Sequence, residues 1–119
     1  MNIRPATRAD VIEMCGGTFL DNIWAMAVED DGELMAIAGV RYSNPRMCFG
    51  NIKPELKKSP RTIIKLARLV TAVVEESEVP VYAIANEDEP TAPRFLEHVG
   101  FEHLMSSDDG EIYRWHQQY

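Results

Sequence analysis

Residues 60–85, PRTIIKLARLVTAVVEESEVPVYAIA, contain the pattern that decides the fold. Up to residue 76 the apolar side chains recur every three or four positions, as they do along one face of a helix. They are Ile63, Leu66, Ala67, Val70, Val73 and Val74. Residues 79–85 then form a continuous apolar run with β-branched side chains, which is typical of a strand buried on both faces. The stretch predicts a long helix over 60–76 that leads into a buried strand.

Three strands are predicted immediately before this helix. Residues 23–29 and 34–42 are apolar runs that flank the sequence Asp30-Asp31-Gly32-Glu33. An Asp-Gly pair between two such runs is typical of a tight hairpin, because the turn needs a positive φ angle. After a break at residues 43–45, residues 47–52 form the third strand.

The first residues predict a short strand and a short helix. Residues 2–5 are expected to lie at the edge of a sheet, because Pro5 cannot donate to a hydrogen-bond ladder. Thr7 is a suitable N-cap for a helix that ends at Gly16-Gly17. The inner side of this helix is expected to consist of Val11, Ile12 and Met14.

The C-terminal part predicts one more helix and a second hairpin. The helix covers about residues 93–99 and ends at Gly100, and the hairpin strands are residues 101–105 and 111–116 around Ser-Ser-Asp-Asp-Gly. The element order is β-α-β-β-β-α-β-α-β-β in a single domain, 1–119. Its βαβ crossover must be right-handed and makes two strands parallel. The predicted fold class is therefore mixed α/β, of the α+β type.

Composition excludes several protein classes. Of the 119 residues, 45% are hydrophobic and 26% are charged, which is ordinary for a globular protein and excludes general disorder. No apolar run reaches the roughly 20 residues of a membrane span, and the N-terminus lacks the apolar core of a secretory signal, so no membrane partner and a cytoplasmic location are expected. Cys15 and Cys48 have neither disulfide nor metal spacing; no metal site is expected, and Cys48 is expected in the core.

The charge distribution indicates a site for a small anion. The chain has a net charge of −7, which disfavours nucleic acid as a partner. Residues 53–68, however, contain six basic residues and one acid, so the rest of the chain has a net charge of −12. A basic cluster on an acidic protein favours a small anionic ligand. The alternative is a solvated basic helix start, which would oppose the helix dipole unless an anion were bound there.

Two segments resemble the GNAT (Gcn5-related N-acetyltransferase) family. They are Ile3-Arg4-Pro5-Ala6 with Asp10 and, more specifically, Arg94-Phe95-Leu96-Glu97-His98-Val99-Gly100-Phe101, which follows the family's Leu-Tyr-Glu-Lys-x-Gly-Phe run. The resemblance covers almost the whole chain. It implies the acyl-CoA N-acyltransferase fold, acetyl-CoA as co-substrate, and transfer of the acetyl group to an amine.

The resemblance also implies a CoA site, with a degenerate pyrophosphate loop. Residues 54–62 can be laid on the family's Pro-x-x-Arg/Gln-x-x-Gly-x-Gly loop, with Lys57 at the Arg/Gln position. Pro60 and Thr62 replace two glycines; Pro60 has no N–H to offer a phosphate, whereas Thr62 keeps one. Basic side chains are expected to compensate. The implied cofactor-binding residues are Asn51, Ile52, Lys53, Lys57, Lys58, Ser59, Arg61, Thr62 and Asn86.

The resemblance does not identify a catalytic residue. Many family members have a tyrosine acid on the last helix, and Leu96 occupies that position here. The remaining candidates are His98, Glu97 and Tyr113. The acids Glu87-Asp88-Glu89 could attract a cationic amine, or they are simply a solvated loop.

A shortened N-terminal region leaves a second hypothesis open. Residues 17–22 are too few for the two substrate-facing helices of many family members. Short GNAT-like proteins with a lost glycine loop occur in tailed bacteriophages, among them the T7-type internal virion protein A, and the chain resembles them at Asn86, Arg94 and the basic helix start. One hypothesis is therefore an acyl-CoA-dependent N-acyltransferase with an unknown acceptor amine. The other is a catalytically silent phage protein that acts in virion assembly with a phage or host protein partner.

Overall fold

The computed structural model of the chain describes residues 1–16, 22–85 and 92–115. The strands are β1 (Asn2–Pro5), β2 (Ile23–Asp30), β3 (Glu33–Arg41), β4 (Arg46–Ile52), β5 (Val81–Ala85), β6 (Phe101–Ser107) and β7 (Gly110–Trp115). The helices are α1 (Arg8–Cys15), α2 (Pro60–Glu75) and α3 (Ala92–Val99), with a 3-10 helix at Pro54–Lys58. Within these ranges no helix has both the length and the apolar character that a bilayer crossing requires. The predicted element order and the mixed α/β class are confirmed.

All seven strands form one sheet, in the order β1-β2-β3-β4-β5-β7-β6. Every pair of neighbours is antiparallel except β4 and β5, which are parallel. Parallel neighbours need a crossover, and α2 provides it. Helix α1 packs on one face of the sheet, whereas α2 and α3 pack on the other.

Helix α2 holds the centre of the core. Its side chains Leu66, Val70 and Val74 are buried, as the apolar period predicted. Val70 and Val74 contact Val40 on β3 and Val81 on β5, so the helix packs across both neighbours of β4. Burying such a valine or leucine stabilises the fold by about 1.5–3 kcal/mol.

The predicted turns have the backbone geometry that their sequences require. At the first hairpin Asp31 and Gly32 have φ angles of 50° and 79°, so the chain reverses within two residues. After α3, Gly100 has a φ angle of 123°, and a Cβ atom there would lie 2.8 Å from the ring of Trp115. Both glycine positions follow from local geometry and are confirmed as element boundaries.

Polar contacts fix the N-terminal segment. Thr7 caps α1, since its hydroxyl accepts from the Asp10 N–H at 3.2 Å while its own N–H donates to the Asp10 carboxylate at 2.7 Å. Arg4 donates to Asp10 at 2.6 Å and to Glu29 at 3.2 Å. The Arg4 guanidinium lowers the pKa of Asp10 to about 2. Arg4 and Asp10, two residues of the family resemblance, thus have a structural role here.

Two predictions about burial were wrong. Strand β5 begins at Val81, and only one of its faces is buried. On the other face of the sheet α1 covers β2 to β4 but does not reach β5, so Ile84 is 39% exposed. On α1, Ile12 is 46% exposed, and the inner side consists of Val11 and the half-buried Met14. A helix of two turns buries too narrow a stripe for all three apolar residues.

Candidate functional site

Strands β4 and β5 pair only where they begin. Their register contains two pairs, Arg46↔Val81 and Met47↔Tyr82. Beyond these pairs β4 continues to Ile52 and β5 to Ala85 with no ladder between them. The two strands therefore open a gap whose narrow end lies at Cys48 and Ala83. The unpaired backbone groups along it can accept an extended ligand as a sheet edge does.

Small side chains border the gap on the face that α2 and α3 cover. On β4 these are Cys48 and the exposed Gly50, and on β5 they are Ala83 and Ala85. A Cβ atom at Gly50 would lie 3.7 Å from its nearest neighbour, the Ala38 Cβ, which is an ordinary van der Waals contact, so an alanine side chain fits here. Burial raises the pKa of the Cys48 thiol to about 12, which leaves it protonated near neutral pH. Cys48 is a packing residue, as predicted, and not a nucleophile.

The three predicted site residues at the end of β4 use their side chains elsewhere. Asn51 donates its amide N–H to the Met14 carbonyl of α1 at 2.6 Å. Ile52 packs into the core cluster of Leu56 and Leu66. Lys53 pairs with Glu33 at 3.3 Å. The gap is therefore bordered here by the backbone of β4, and any contact of these residues with a ligand would be a main-chain contact.

The segment expected to be a phosphate loop is folded as a 3-10 helix. Leu56 is fully buried and anchors it against α2. The Leu56 N–H donates to the Lys53 carbonyl at 3.0 Å, and the Ser59 N–H donates to the Leu56 carbonyl at 2.8 Å. These amides are consequently not directed at a ligand. Sequence reasoning missed this helix, although Pro54 at its start and an apolar residue among lysines were signals for it.

The start of α2 offers few backbone donors. Pro60 has none, and the Thr62 N–H is already paired with the Ser59 carbonyl at 3.1 Å. The Ser59 hydroxyl makes no capping hydrogen bond. Lys57, Lys58 and Arg61 are exposed around it. An anion at this position would be held mainly by charged side chains and one hydroxyl.

The remaining predicted residues divide into three groups. Asn86 and the acids Glu87, Asp88 and Glu89 lie outside the described residues. Glu97 and His98 are exposed on α3. Tyr113 is buried on β7 directly opposite Ala83, in the same cluster as Leu96 and Cys48. Of the three catalytic candidates, Tyr113 is the one that belongs to the sheet beside the narrow end of the gap.

Two ionisable residues that the sequence did not single out lie beside Tyr113. The His103 and Tyr113 rings make a T-shaped contact with 5.4 Å between their centroids. His103 Nε2 lies 3.5 Å from Glu111 Oε2. Burial raises the pKa of Tyr113, and Glu97 and Glu111 add to the effect. Ser106 and His103 lower the pKa of Glu111. The sequence signal for placing His103 on this face was its position two residues after Phe101 on β6, because residues two apart in a strand lie on the same face of the sheet.

Comparisons with known proteins identify the fold. No protein-family model and no curated protein matches the sequence. A GNAT-family acetyltransferase from Staphylococcus aureus is similar in structure, with a TM-score of 0.73, 11% identity, and coverage of 98% of this chain and 99% of that one. The ribosomal-protein-S18-alanine N-acetyltransferase of Escherichia coli has a TM-score of 0.69, 12% identity, and coverage of 96% and 92%.

A third similar structure contains a ligand. The PaiA N-acetyltransferase from Thermoplasma acidophilum was solved in complex with coenzyme A, and it matches with a TM-score of 0.63, 12% identity and complete coverage of both chains. Identities this low establish the architecture and leave the chemistry to the site. The chain has the fold of the GNAT acetyltransferases.

Proposed function

We propose that the protein is an N-acyltransferase that binds an acyl-CoA, such as acetyl-CoA, and transfers its acyl group to an amine. The observation that supports this most is the two-pair β4–β5 ladder, which opens into a gap beside the basic start of α2. A pantetheine arm is extended and has two amides, so it can pair with the unpaired edge of β4. The net charge of −7 favours a cationic amine as acceptor, and the cytoplasm is the proposed location.

Side chains hold the phosphates in this proposal. Lys58 and Arg61 supply positive charge, and the Ser59 hydroxyl supplies a donor that the helix does not use. Lys57 lies in the same exposed group. Because Pro60 and Thr62 offer no amide to the ligand, affinity for the phosphates depends on charge and falls as salt rises.

The transfer forms one bond and breaks one. The amine nitrogen attacks the thioester carbonyl carbon, the C–N bond forms and the C–S bond breaks. The amine loses a proton to solvent, and the leaving thiolate takes one from an acid. Tyr113 is our candidate for this acid, because it lies beside the narrow end of the gap and its phenol O–H can donate a proton. Glu97 and His98 are the exposed alternatives.

Calorimetric titration with acetyl-CoA tests the proposal. We expect saturable binding to the full chain, and at least a tenfold weaker affinity for the double variant Lys58→Ala/Arg61→Ala. Arg8→Ala is the matched control, because Arg8 is exposed on α1 at the other face of the sheet. Absence of binding at 0.5 mM acetyl-CoA, or an equal loss in the control, would contradict the proposal.

A second candidate is a catalytically silent GNAT-fold protein that acts in phage assembly through a phage or host partner. It is favoured by Pro60 and Leu96, which depart from the family's pattern, and by the exposed apolar side chains of Ile84, Leu104 and Met105. It predicts a stable complex with another protein and no acetyl transfer to any amine. Detection of an acetylated amine product by mass spectrometry would exclude it.

A further inference from the structure

The exposed face of α2 is basic over two turns. Arg61, Lys65 and Arg68 follow one another at intervals of four and three residues, opposite the buried stripe of Leu66 and Val70. At a rise of 1.5 Å per residue the three side chains cover about 10 Å of helix. This length extends well past the first turn, which is the part of the helix that a bound phosphate would contact.

Apolar side chains flank this row on the same exposed side. Ile64 and Leu69 are 42% and 41% exposed. Together with Arg61, Lys65 and Arg68 they form what we call the α2 basic face. Within residues 1–16, 22–85 and 92–115, none of these three cations forms an ion pair with an acid. An apolar and basic face is typical of a surface that binds an acidic helix.

The phosphate site offers few backbone donors to a nucleotide diphosphate. Its amides donate within the 3-10 helix and the first turn of α2, so little backbone remains to bind two adjacent phosphates. Positive side chains at Lys58 and Arg61 suffice for a single phosphodiester. The positive charge of the site continues along α2 through Lys65 and Arg68.

We infer that the preferred acyl donor is an acidic helical carrier protein that bears its acyl group on a phosphopantetheine arm. This rests on the proposed function and replaces only the donor. The arm has the same pantetheine thioester and a single phosphodiester, and the carrier's acidic helix complements the α2 basic face. The bonds formed and broken are unchanged, and the carrier leaves with its arm as a free thiol.

The inference is tested with three probes against the full chain. They are a bacterial acyl carrier protein with an acetylated arm, the same carrier without its arm, and free acetyl-CoA. The test variant is Lys65→Glu/Arg68→Glu. The control is Arg8→Glu/Arg41→Glu, which makes the same change in net charge away from α2. Thermal unfolding verifies that each variant is folded.

We expect the test variant to bind the acetylated carrier at least tenfold more weakly and acetyl-CoA within twofold of the parent chain. The control should change neither affinity more than about twofold, and the carrier without its arm should bind more weakly than the acetylated one. Binding of acetyl-CoA without binding of the carrier at 0.2 mM overturns this inference and leaves the proposed function intact. Equal losses in test and control variants also overturn it, and failure of both donors overturns both proposals.

Discussion

The two halves of the sheet differ in how their faces are covered. Strands β1 to β4 form an antiparallel block with α1 on one face and α2 on the other. Strands β5, β7 and β6 form a second antiparallel block, with α3 on one face. On this second block Ile84 and Met105 remain exposed. The first half is therefore covered by helices on both faces, whereas the second half is covered on one face.

The comparison shows why the gap lies where it does. Within each half the neighbouring strands are joined by antiparallel ladders, and only two parallel pairs join the halves. Beyond those two pairs, the facing edges of β4 and β5 have backbone groups that remain available to a ligand. In the described part of the chain, the gap therefore lies at the joint between the two antiparallel blocks.

The largest expected effect is on the first half. Substitution Gly39→Ala places a Cβ atom 2.0 Å from the Trp24 carbonyl oxygen, against backbone that cannot move aside. We expect a loss of about 3 kcal/mol in the free energy of unfolding, measured by urea denaturation. The matched variant Gly50→Ala, at the gap, should lose less than about 1 kcal/mol, the usual cost or gain of a tolerated glycine substitution. Equal losses would show that β3 and the gap edge are not differently packed.

The next effect is at the narrow end of the gap. If Tyr113 donates the proton to the leaving thiolate, Tyr113→Phe should lower kcat by about 10- to 100-fold, since general acid catalysis contributes on that scale. KM for acetyl-CoA should stay within twofold, because the phenol is not needed for binding. Glu75→Gln, at an exposed residue near the end of α2, is the control. A kcat unchanged in Tyr113→Phe would remove Tyr113 from the mechanism.

A bulky side chain at the gap should weaken binding without unfolding the protein. We expect Gly50→Leu to reduce acetyl-CoA affinity about tenfold, or 1.4 kcal/mol, because its side chain overhangs the unpaired edge of β4. Gly50→Ala should bind within twofold of the parent chain, since its Cβ would make an ordinary contact, 3.7 Å from the Ala38 Cβ. Calorimetry measures both, and similar affinity for Gly50→Leu would place the arm elsewhere.

The smallest effect concerns the N-terminal contacts of the first half. Asp10→Asn removes the charge that Arg4 binds and should lower the free energy of unfolding by about 1 kcal/mol. Because the folded pKa of Asp10, about 2, lies below its usual 3.8, this contribution is present above pH 4 and is lost as the pH falls toward 2. Thermal unfolding at pH 7 and pH 2.5 should show the difference shrinking. Glu13→Gln, at an exposed residue of the same helix, is the matched control.

The sequence was sufficient to predict the element order because each element has a strong local signal. The apolar stripe of α2, the Asp-Gly turn and Gly100 all act over a few residues, and all are confirmed. Burial was harder to predict, because the exposure of Ile84 depends on where a distant helix packs. The 3-10 helix was missed because its short hydrogen-bonded turn resembles a loop in composition.

The candidate site was predicted only in part. The basic cluster near residue 58 could be recognised from its charge alone, and its assignment to an anion stays a prediction. That Asn51 faces α1 and Lys53 reaches Glu33 depends on strand register, which one residue of shift would reverse. His103 lies opposite Tyr113 on the neighbouring strand of a hairpin. The register of this hairpin shifts at a bulge between His103 and Met105, which no local sequence pattern predicts.

The packing of α2 has a mechanical consequence. Val70 and Val74 pack with Val40 in one block and Val81 in the other. The helix therefore sets the angle at which the two blocks diverge. The substitution Val74→Ala would alter the width of the gap between β4 and β5 without changing the residues that border it. Residues that do not border the gap would in this way determine how wide a ligand it admits.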